Sequence, residues 1–380
     1  MIIKGGLIFD PIKREAYEAD VRIENGKFSE IGCDLSVKEG EEVIDAKGMR
    51  VYPGLVEAHC HVGLSRAKRP KGDSDTNEKN DLLTPQLRAI DGFDPRDTGI
   101  DAARRAGVTT LGVGPGSANV VSGTFMAVKS YGVCVDKMVV KSPVAMKCAF
   151  GENPKTWFGT KCDSSRLTTA AKLRELLFQT QEYLAKKESA EDISKLPKFD
   201  MKLEAMIPVI KGELPLKAHA HSTNDICTAI RIAKEFGVKL TLEHVTAGHL
   251  IPDEIYESGA PAAVGPTMCG TGKVELFEKT YATPGILAAR GVEVSIITDA
   301  PVIPIENLPF AAGMAVKYGM DKWDALRAIT INPAKHLGIE DRVGSIEVGK
   351  DGDLVICDGD IMSNLTKVST VIIDGKIMAI

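Results

Sequence analysis

Short apolar runs that alternate with amphipathic segments constrain the fold of this chain most strongly. Runs such as VKLTLEHVTAG (238–248) and VEVSIITDAP (292–301) lie near segments with helical periodicity such as DICTAIRIAKEFG (225–237). Alternating β and α units predict a parallel sheet. The alternation spans positions 52–339, and a (β/α)8 barrel, typically about 250 residues plus insertions, fits that length better than an open sheet.

The two ends of the chain have the pattern of short strands separated by tight turns. Asn25-Gly26 and Asp374-Gly375 are dipeptides typical of two-residue hairpin turns. We therefore predict an α/β chain with a (β/α)8 TIM barrel at 52–339. Residues 1–51 and 340–380 are expected to build one small composite β-sandwich domain.

Composition excludes several classes of function. The formal net charge of -5 in 380 residues gives no basic surface for a nucleic-acid backbone. No stretch approaches the roughly 20 apolar residues that span a bilayer, and the first residues lack a signal-peptide pattern. We expect a cytoplasmic protein that binds neither nucleic acid nor membrane. The eight cysteines form no CxxC pair, so we expect reduced thiols, mostly structural.

Two polar stretches interrupt the alternation, from about Ser65 to Thr98 and from about Glu152 to Asp200. Both follow predicted strands, and in a barrel such positions lie at the C-terminal face where active sites are built. They are candidates for lids or walls of a substrate pocket. The alternative is a solvated surface excursion or a contact between subunits, since we also expect a homo-oligomer.

Five of the seven histidines lie in predicted strands. His59 with His61, and His219 with His221, form two His-x-His pairs, and His244 ends a third apolar run. Alternate residues of a strand share one face, so each pair can direct both imidazoles into the barrel. Unpaired polar groups in a barrel core are costly. The pattern therefore predicts a metal site.

Asp299 is the candidate acidic partner of these histidines. It ends the apolar run VEVSIITD and precedes Ala-Pro, where a strand would stop. Its carboxylate would then emerge at the same barrel face. The alternative is a helix cap or turn residue.

Several segments together resemble the amidohydrolase superfamily. PGLVEAHCH is similar to its PGxxDxHxH segment, with Glu57 where aspartate is commoner. Further matching segments follow in order along nearly the whole chain: GVTTLGVGPGS, KAHAH, LEH, ITDAP, ALRAITINPAKHLGI and GSIEVGKDGDLVI. The resemblance implies a distorted (β/α)8 barrel with a two-piece β-sandwich, which agrees with the organisation above.

The resemblance also implies a ligand set for two divalent cations, of Zn, Mn, Fe or Co. His59 and His61 would hold the first and His219 and His244 the second, while Asp299 would act as ligand and base. Lys147, carboxylated on its side-chain nitrogen, would bridge the cations.

Three kinds of residue leave the ligand set open. Glu152 is an alternative or additional acidic ligand. His221 would line the substrate pocket, as the third residue of HAH or HAY does in related hydrolases. Alternatively, His221 and Glu152, with Cys60 or Cys148, would hold a third cation.

The implied reaction is hydrolysis by a metal-activated hydroxide of an amide, cyclic amide or lactone bond in a small molecule. One alternative is a mononuclear deaminase or an imidazolonepropionase-like ring hydrolase. In those enzymes strand 5 typically contains His-x-x-Glu, whereas Ala220, His221 and Ser222 follow His219 here. The alternative of another class is a non-catalytic scaffold homologue.

Other motifs carry weaker predictions. GVGPGSANVVSG (112–123) lacks the lysine of a P-loop and is expected to be a strand-end loop at the barrel mouth rather than a phosphate cradle. Asn332-Pro333-Ala334 is expected in the helix that closes the barrel. His249 and His336 are expected to be surface or helix residues rather than ligands.

Overall fold

A computed structural model describes residues 1–65, 74–158 and 164–379. The strands are β1 (Ile2–Asp10), β2 (Glu15–Glu24), β3 (Lys27–Gly32), β4 (Val43–Asp45), β5 (Arg50–Pro53), β6 (Leu55–Cys60), β7 (Val108–Val113), β8 (Val121–Lys129), β9 (Val139–Ala149), β10 (Leu216–Ala220), β11 (Leu240–His244), β12 (Ala262–Val264), β13 (Val294–Ile296), β14 (Leu354–Cys357), β15 (Val368–Ile373) and β16 (Lys376–Ile377).

All helices of the described residues lie between β6 and β14 in the chain. They are α1 (Ala89–Gly92), α2 (Thr98–Arg105), α3 (Val135–Met138), α4 (Glu152–Phe158), α5 (Arg166–Glu188), α6 (Met201–Ile210), α7 (Thr223–Phe236), α8 (Pro252–Ser258), α9 (Thr283–Arg290), α10 (Leu308–Lys317), α11 (Lys322–Arg327) and α12 (Ile331–His336).

The central sheet is a nearly closed barrel. Its eight strands follow chain order from β6 to β13, and β13 lies beside β6. Helix α12 packs against both of these strands, so it covers the seam as expected for the Asn332-Pro333-Ala334 segment. The predicted fold, a distorted (β/α)8 barrel with a second sheet, is confirmed.

Strand β8 is the distortion that the alternating pattern did not predict. It pairs antiparallel with both β7 and β9, whereas the other neighbouring strands of the barrel are parallel. Only positions 114–120 separate β7 from β8, and a parallel connection needs a crossover of a dozen or more residues. The stretch expected as a loop at 112–123 therefore contains the end of β7 and the start of β8.

The strands from both chain ends form one further hydrogen-bonded sheet. Its order is β16-β15-β14-β5-β1-β2-β3, and β4 also pairs with β1. Asn25 and Gly26 have φ of 52° and 77°, and Asp374 and Gly375 have 48° and 70°. These left-handed pairs match the predicted hairpin turns. The division into 1–51 with 340–380 and 52–339 stays a prediction, and β5 continues to Pro53.

A buried lysine links the barrel to this terminal sheet. Lys129, the last residue of β8, has an exposed side-chain fraction of 4%. Its Nζ lies 2.7 Å from Asp353, 2.9 Å from Asp351 and 3.1 Å from Asp374. Lys129 is the counter-charge of the buried Asp353, whereas Asp351 also pairs with Arg342 at 2.7 Å.

We expect Lys129→Met to lower the free energy of unfolding by about 3–5 kcal/mol, because it leaves the buried carboxylate of Asp353 without its counter-charge. Urea unfolding followed by circular dichroism measures the change. Lys186→Met is the matched control, because Lys186 pairs with Glu182 on the exposed face of α5, and its midpoint should stay close to that of the parent. An unchanged midpoint for Lys129→Met would show that this cluster does not hold the two sheets together.

Candidate metal centre

The predicted ligands come together at the C-terminal ends of the barrel strands. The sequence positions them as follows: His59 in β6 and His61 just after it, Lys147 in β9, His219 in β10 and His221 just after it, His244 at the end of β11, and Asp299 after β13. All five imidazoles are buried. The alternation rule therefore placed both His-x-His pairs on the inner face as expected.

His59, His61 and Asp299 form the first group of donors that could hold one ion. Oδ1 of Asp299 lies 3.2 Å from Nε2 of His61 and 3.8 Å from Nε2 of His59. Lys147 adjoins this group, because its Nζ lies 3.2 Å from Nε2 of His59.

His219, His221 and His244 form the second group. The His244 ring centroid lies 4.3 Å from that of His219 and 4.7 Å from that of His221. It lies 5.0 Å from the His59 ring. The two groups are therefore adjacent parts of one centre.

Four of the imidazoles make a hydrogen bond through Nδ1. The partners are Glu243 Oε2 for His59 at 2.7 Å, the Gly114 carbonyl for His61 at 2.7 Å, the Gly265 carbonyl for His244 at 2.8 Å, and Thr246 Oγ1 for His221 at 2.7 Å. A carbonyl or carboxylate at Nδ1 fixes the tautomer and leaves Nε2 as the ligand atom.

The donor set fits divalent cations. Nε2 of His244 and Nδ1 of His219 are buried and have no hydrogen-bond partner among the described residues. Such atoms cost free energy unless something binds them. Burial lowers the pKa of His59, His219 and His244 well below the usual value and that of His221 to about 3. Neutral imidazole is the form that binds metal.

Burial makes the neutral form of Lys147 more accessible than in an exposed lysine. Lys147 is completely buried, and the loss of solvent lowers its pKa to about 8, although Glu243 and Asp299 act in the opposite direction. A neutral amine is the form that can react with carbon dioxide. Carboxylation of Lys147 stays a prediction.

Left-handed backbone shapes the centre at two places. His244 and Val245 have φ of 73° and 49°, and Asp299 has φ of 52°. Non-glycine residues in this region are uncommon and cluster at functional sites. Because His244 leaves the regular strand conformation, its side chain and that of Glu243 both reach the barrel interior, whereas successive strand residues normally face opposite sides.

Glu57 ties β6 to the segment that carries Asp299. Its Oε2 accepts hydrogen bonds from the amide and the hydroxyl of Thr298, at 2.9 and 2.6 Å, and its Oε1 accepts from the His59 amide at 3.0 Å. Burial raises its pKa to about 7. The longer side chain at this position, where aspartate is commoner, still spans the barrel seam.

Glu152 lies outside both groups of donors. It begins α4, and its Oε1 accepts a hydrogen bond from the Glu275 amide at 3.0 Å, while Oε2 of Glu275 accepts from the Glu152 amide at 2.8 Å. Cys60 and Cys148 belong to the apolar core, and burial raises the pKa of Cys148 to about 12. The geometry does not bring these three residues to the imidazoles.

The remaining histidines differ from each other. His249 is half-buried, and its Nδ1 lies 3.0 Å from the hydroxyl of Thr283. His336 ends α12, as a helix residue, but it is buried and not on the surface, and its Nε2 lies 2.7 Å from Glu243 Oε1. His336 is buried in this helix because α12 packs against β6 and β13 at the barrel seam.

Sequence reasoning missed four buried charged or titratable partners of the centre. They are Lys217, Glu243, Glu275 and His336, all of which are buried. A usable signal existed for Lys217, which lies two residues before His219 on the same face of β10. Glu275 lies in a single 3-10 turn, Val274–Leu276, and carries no such signal.

A cavity of about 670 Å³ opens onto the centre. His61, His219, His221 and Asp299 line it together with polar residues that include Ser74, Thr76, Asn77, Ser117, Asn153 and Lys273. The stretch from Ser65 to Thr98 therefore contributes one wall, as predicted. Its residues 66–73, and residues 159–163 of the second stretch, lie outside the described residues. Helix α5 of that second stretch packs on α6 and α7.

Comparison with known proteins agrees with this geometry. Residues 50–378 match the Amidohydrolase family. The chain belongs to this family. It is a hydrolase that acts on carbon–nitrogen bonds, its family generally uses divalent metals, and its histidine and aspartate groups support metal binding.

Three similar proteins illustrate the relationship. The crystal structure of an amidohydrolase from Thermotoga maritima MSB8 is 38% identical, with a TM-score of 0.95, covering 100% of this chain and 99% of that one. Amidohydrolase tasK from Hapsidospora irregularis is 27% identical over 90% of this chain, which spans only 38% of its length. A dihydroorotase from Elusimicrobium minutum (strain Pei191) is 24% identical over 94% of this chain and 88% of its own. Among the described residues of this amidohydrolase, no helix is long and apolar enough to cross a membrane.

Proposed function

We propose that this amidohydrolase holds two divalent cations, of Zn, Mn, Fe or Co, and hydrolyses a cyclic amide, amide or lactone bond of a small molecule. The observation that carries the proposal is the pair of adjacent donor groups, whose His59 and His244 rings are 5.0 Å apart. One cation would be held by His59, His61 and Asp299. The other would be held by His219 and His244.

Carboxylated Lys147 is the proposed bridge. Its Nζ is 3.2 Å from His59 Nε2, and burial removes the solvent that would keep the ammonium charged. Addition of the neutral amine to carbon dioxide forms one C–N bond and releases one proton, which leaves a carboxylate. That group has the charge and the two oxygens needed between two cations.

Bound divalent cations would supply the Lewis acidity that acidifies water and polarises a carbonyl. The residues of the chain do the rest. Asp299, which lines the cavity, would accept the proton of the attacking water at its carboxylate and later donate it to the leaving nitrogen or oxygen. Burial lowers the pKa of His59, His219 and His244, so these imidazoles stay neutral and do not compete for that proton.

The cavity supports a substrate with an anionic substituent. Lys273 is 41% exposed in its side chain, and its Nζ lies 2.5 Å from Oδ1 of Asn153. Both side chains line the cavity and carry hydrogen-bond donors. His221 also lines the cavity and would contact substrate. Its place in the second group of donors also lets it serve as an additional metal ligand. Similarity to a dihydroorotase is the reason to put cyclic amides first.

The alternative of a deaminase or an imidazolonepropionase-like hydrolase requires a Glu proton shuttle three residues after His219, and the chain has no Glu at that position. Ser222 stands there, and its hydroxyl donates to Asp225 Oδ2 at 2.6 Å. A scaffold role would not require buried, neutral imidazoles with partner-free nitrogens. A homo-oligomer and a cytoplasmic location stay predictions.

A substrate panel tests the proposed reaction. The purified protein, reconstituted separately with zinc, manganese and cobalt, is assayed against dihydropyrimidine-type cyclic amides, N-acyl amino acids and lactones. Aminopurines and cytosine serve as deaminase substrates. We expect hydrolysis of at least one amide class, detected as formation of a new carboxylate. Ammonia release alone would favour the deaminase, and no turnover with any metal would favour the scaffold.

A further inference from the structure

Glu243 is a fully buried carboxylate that contacts four side chains. Its Oε2 lies 2.7 Å from Nδ1 of His59 and 2.8 Å from Nζ of Lys217, and its Oε1 lies 2.7 Å from Nε2 of His336 and 2.8 Å from the hydroxyl of Thr241. These contacts come from β6, β10, β11 and α12. Contacts from four different elements therefore fix the position of the carboxylate.

Lys217 supplies the counter-charge that a buried carboxylate needs. Its side chain is 0% exposed, like that of Glu243. A carboxylate in a dry interior without a paired cation would take up a proton. Because the ammonium of Lys217 lies on the same oxygen that contacts His59, that oxygen stays an acceptor. His59 then donates from Nδ1, and its Nε2 presents a lone pair toward Lys147 and Asp299.

His59 differs from the other held imidazoles in the charge of its partner. His61 and His244 bond to neutral backbone carbonyls, and His221 bonds to a hydroxyl. A hydrogen bond to an ionised carboxylate is stronger than one to a neutral group. It also makes the imidazole a more basic ligand and fixes its orientation.

We infer that Glu243 is a positioning residue that makes the cation site of His59, His61 and Asp299 bind more tightly than the site of His219 and His244. This inference rests on the proposed two-cation function. It adds an order to the two binding events, and it assigns the difference to one side chain that belongs to neither group of donors.

Stepwise loading with Co²⁺ tests the inference. Apoprotein is titrated with Co²⁺ in competition with a chelator, and the visible absorption of the bound ion gives a readout that does not depend on turnover. We expect two equivalents with separate affinities. In Glu243→Gln the tighter affinity should fall by about 10- to 100-fold, while the weaker one changes by less than about threefold.

Two further variants keep the test decisive. Glu243→Gln/Lys217→Met removes both charges together, so that no buried ammonium is left unpaired, and it should show the same selective loss. Glu41→Gln is the matched control: Glu41 pairs with the buried Arg22 at 2.8 Å in the terminal sheet, and both Co²⁺ affinities should match those of the parent.

The outcomes separate this inference from the proposed function. If the parent binds two equivalents and Glu243→Gln changes neither affinity, or lowers both equally, Glu243 does not set the order of binding, and two-cation loading stands. If the parent binds no Co²⁺, the two-cation function and the inference both fail.

Discussion

Asp299→Asn is expected to lower kcat by about 10²- to 10⁴-fold, the range for loss of a positioned general acid–base group. The amide cannot accept the proton of the attacking water. It keeps an oxygen near Nε2 of His61, from which the carboxylate is 3.2 Å away. The measurement is steady-state kinetics on metal-replete protein, with metal content determined on the same sample.

The backbone makes asparagine the right substitution at this position. Asp299 has φ of 52°, and asparagine adopts left-handed conformations more readily than alanine. Asp34→Asn is the control, because Asp34 is exposed and has φ of 53°, so the same chemical change is made in the same conformation. We expect normal turnover in that variant. Near-normal turnover of metal-replete Asp299→Asn would exclude Asp299 as the base.

Lys147→Ala is expected to lower kcat by about as much as Asp299→Asn does. It should also weaken binding of the second cation, because no carboxylate then bridges the two groups of donors. A short carboxylic acid such as acetate should restore part of the activity by occupying the space of the lost side chain. Lys141→Ala, at an exposed position of the same strand, is the control and should behave as the parent. Full activity without Lys147 would exclude the bridge.

The pKa of Lys147 gives this prediction a pH dependence. Burial lowers that pKa to about 8, so the reactive neutral fraction grows as pH rises through this value. The measurement is the rate at which activity appears when apoprotein is mixed with metal at a constant concentration of dissolved carbon dioxide. This rate should be roughly eightfold higher at pH 8.5 than at pH 7, which is the ratio of the neutral fractions of Lys147 at the two pH values. A rate that is independent of pH and carbon dioxide would contradict carboxylation.

The barrel and the histidine groups were predictable because they follow regular strand geometry. His59 with His61 and His219 with His221 share a face by alternation alone. Strand β8 was not predictable from the alternating pattern, since a short connection reverses the chain and no helix follows β7. Its apolar residues and those of a helix segment have similar local patterns.

The buried residues that contact the proposed ligands were not predicted, because strand alternation alone does not place them. Glu243 and His244 are neighbours, and only the left-handed backbone at His244 lets both face inward. Lys217, Glu243 and His336 come from three elements, and their contact depends on the register that places Lys217 beside Thr241 and His219 beside Glu243. Glu152 follows a strand as an acidic ligand would, but it begins α4 and bonds to Glu275 instead.

Anomalous scattering from crystals of metal-loaded protein tests the two-cation centre most directly. Data collected on both sides of the absorption edge of the bound metal locate each ion independently of the chain. We predict one peak among His59, His61 and Asp299, a second beside His219 and His244, and density for a carboxylate on Lys147. A catalytically active crystal form with no peak at either group would contradict the proposed centre.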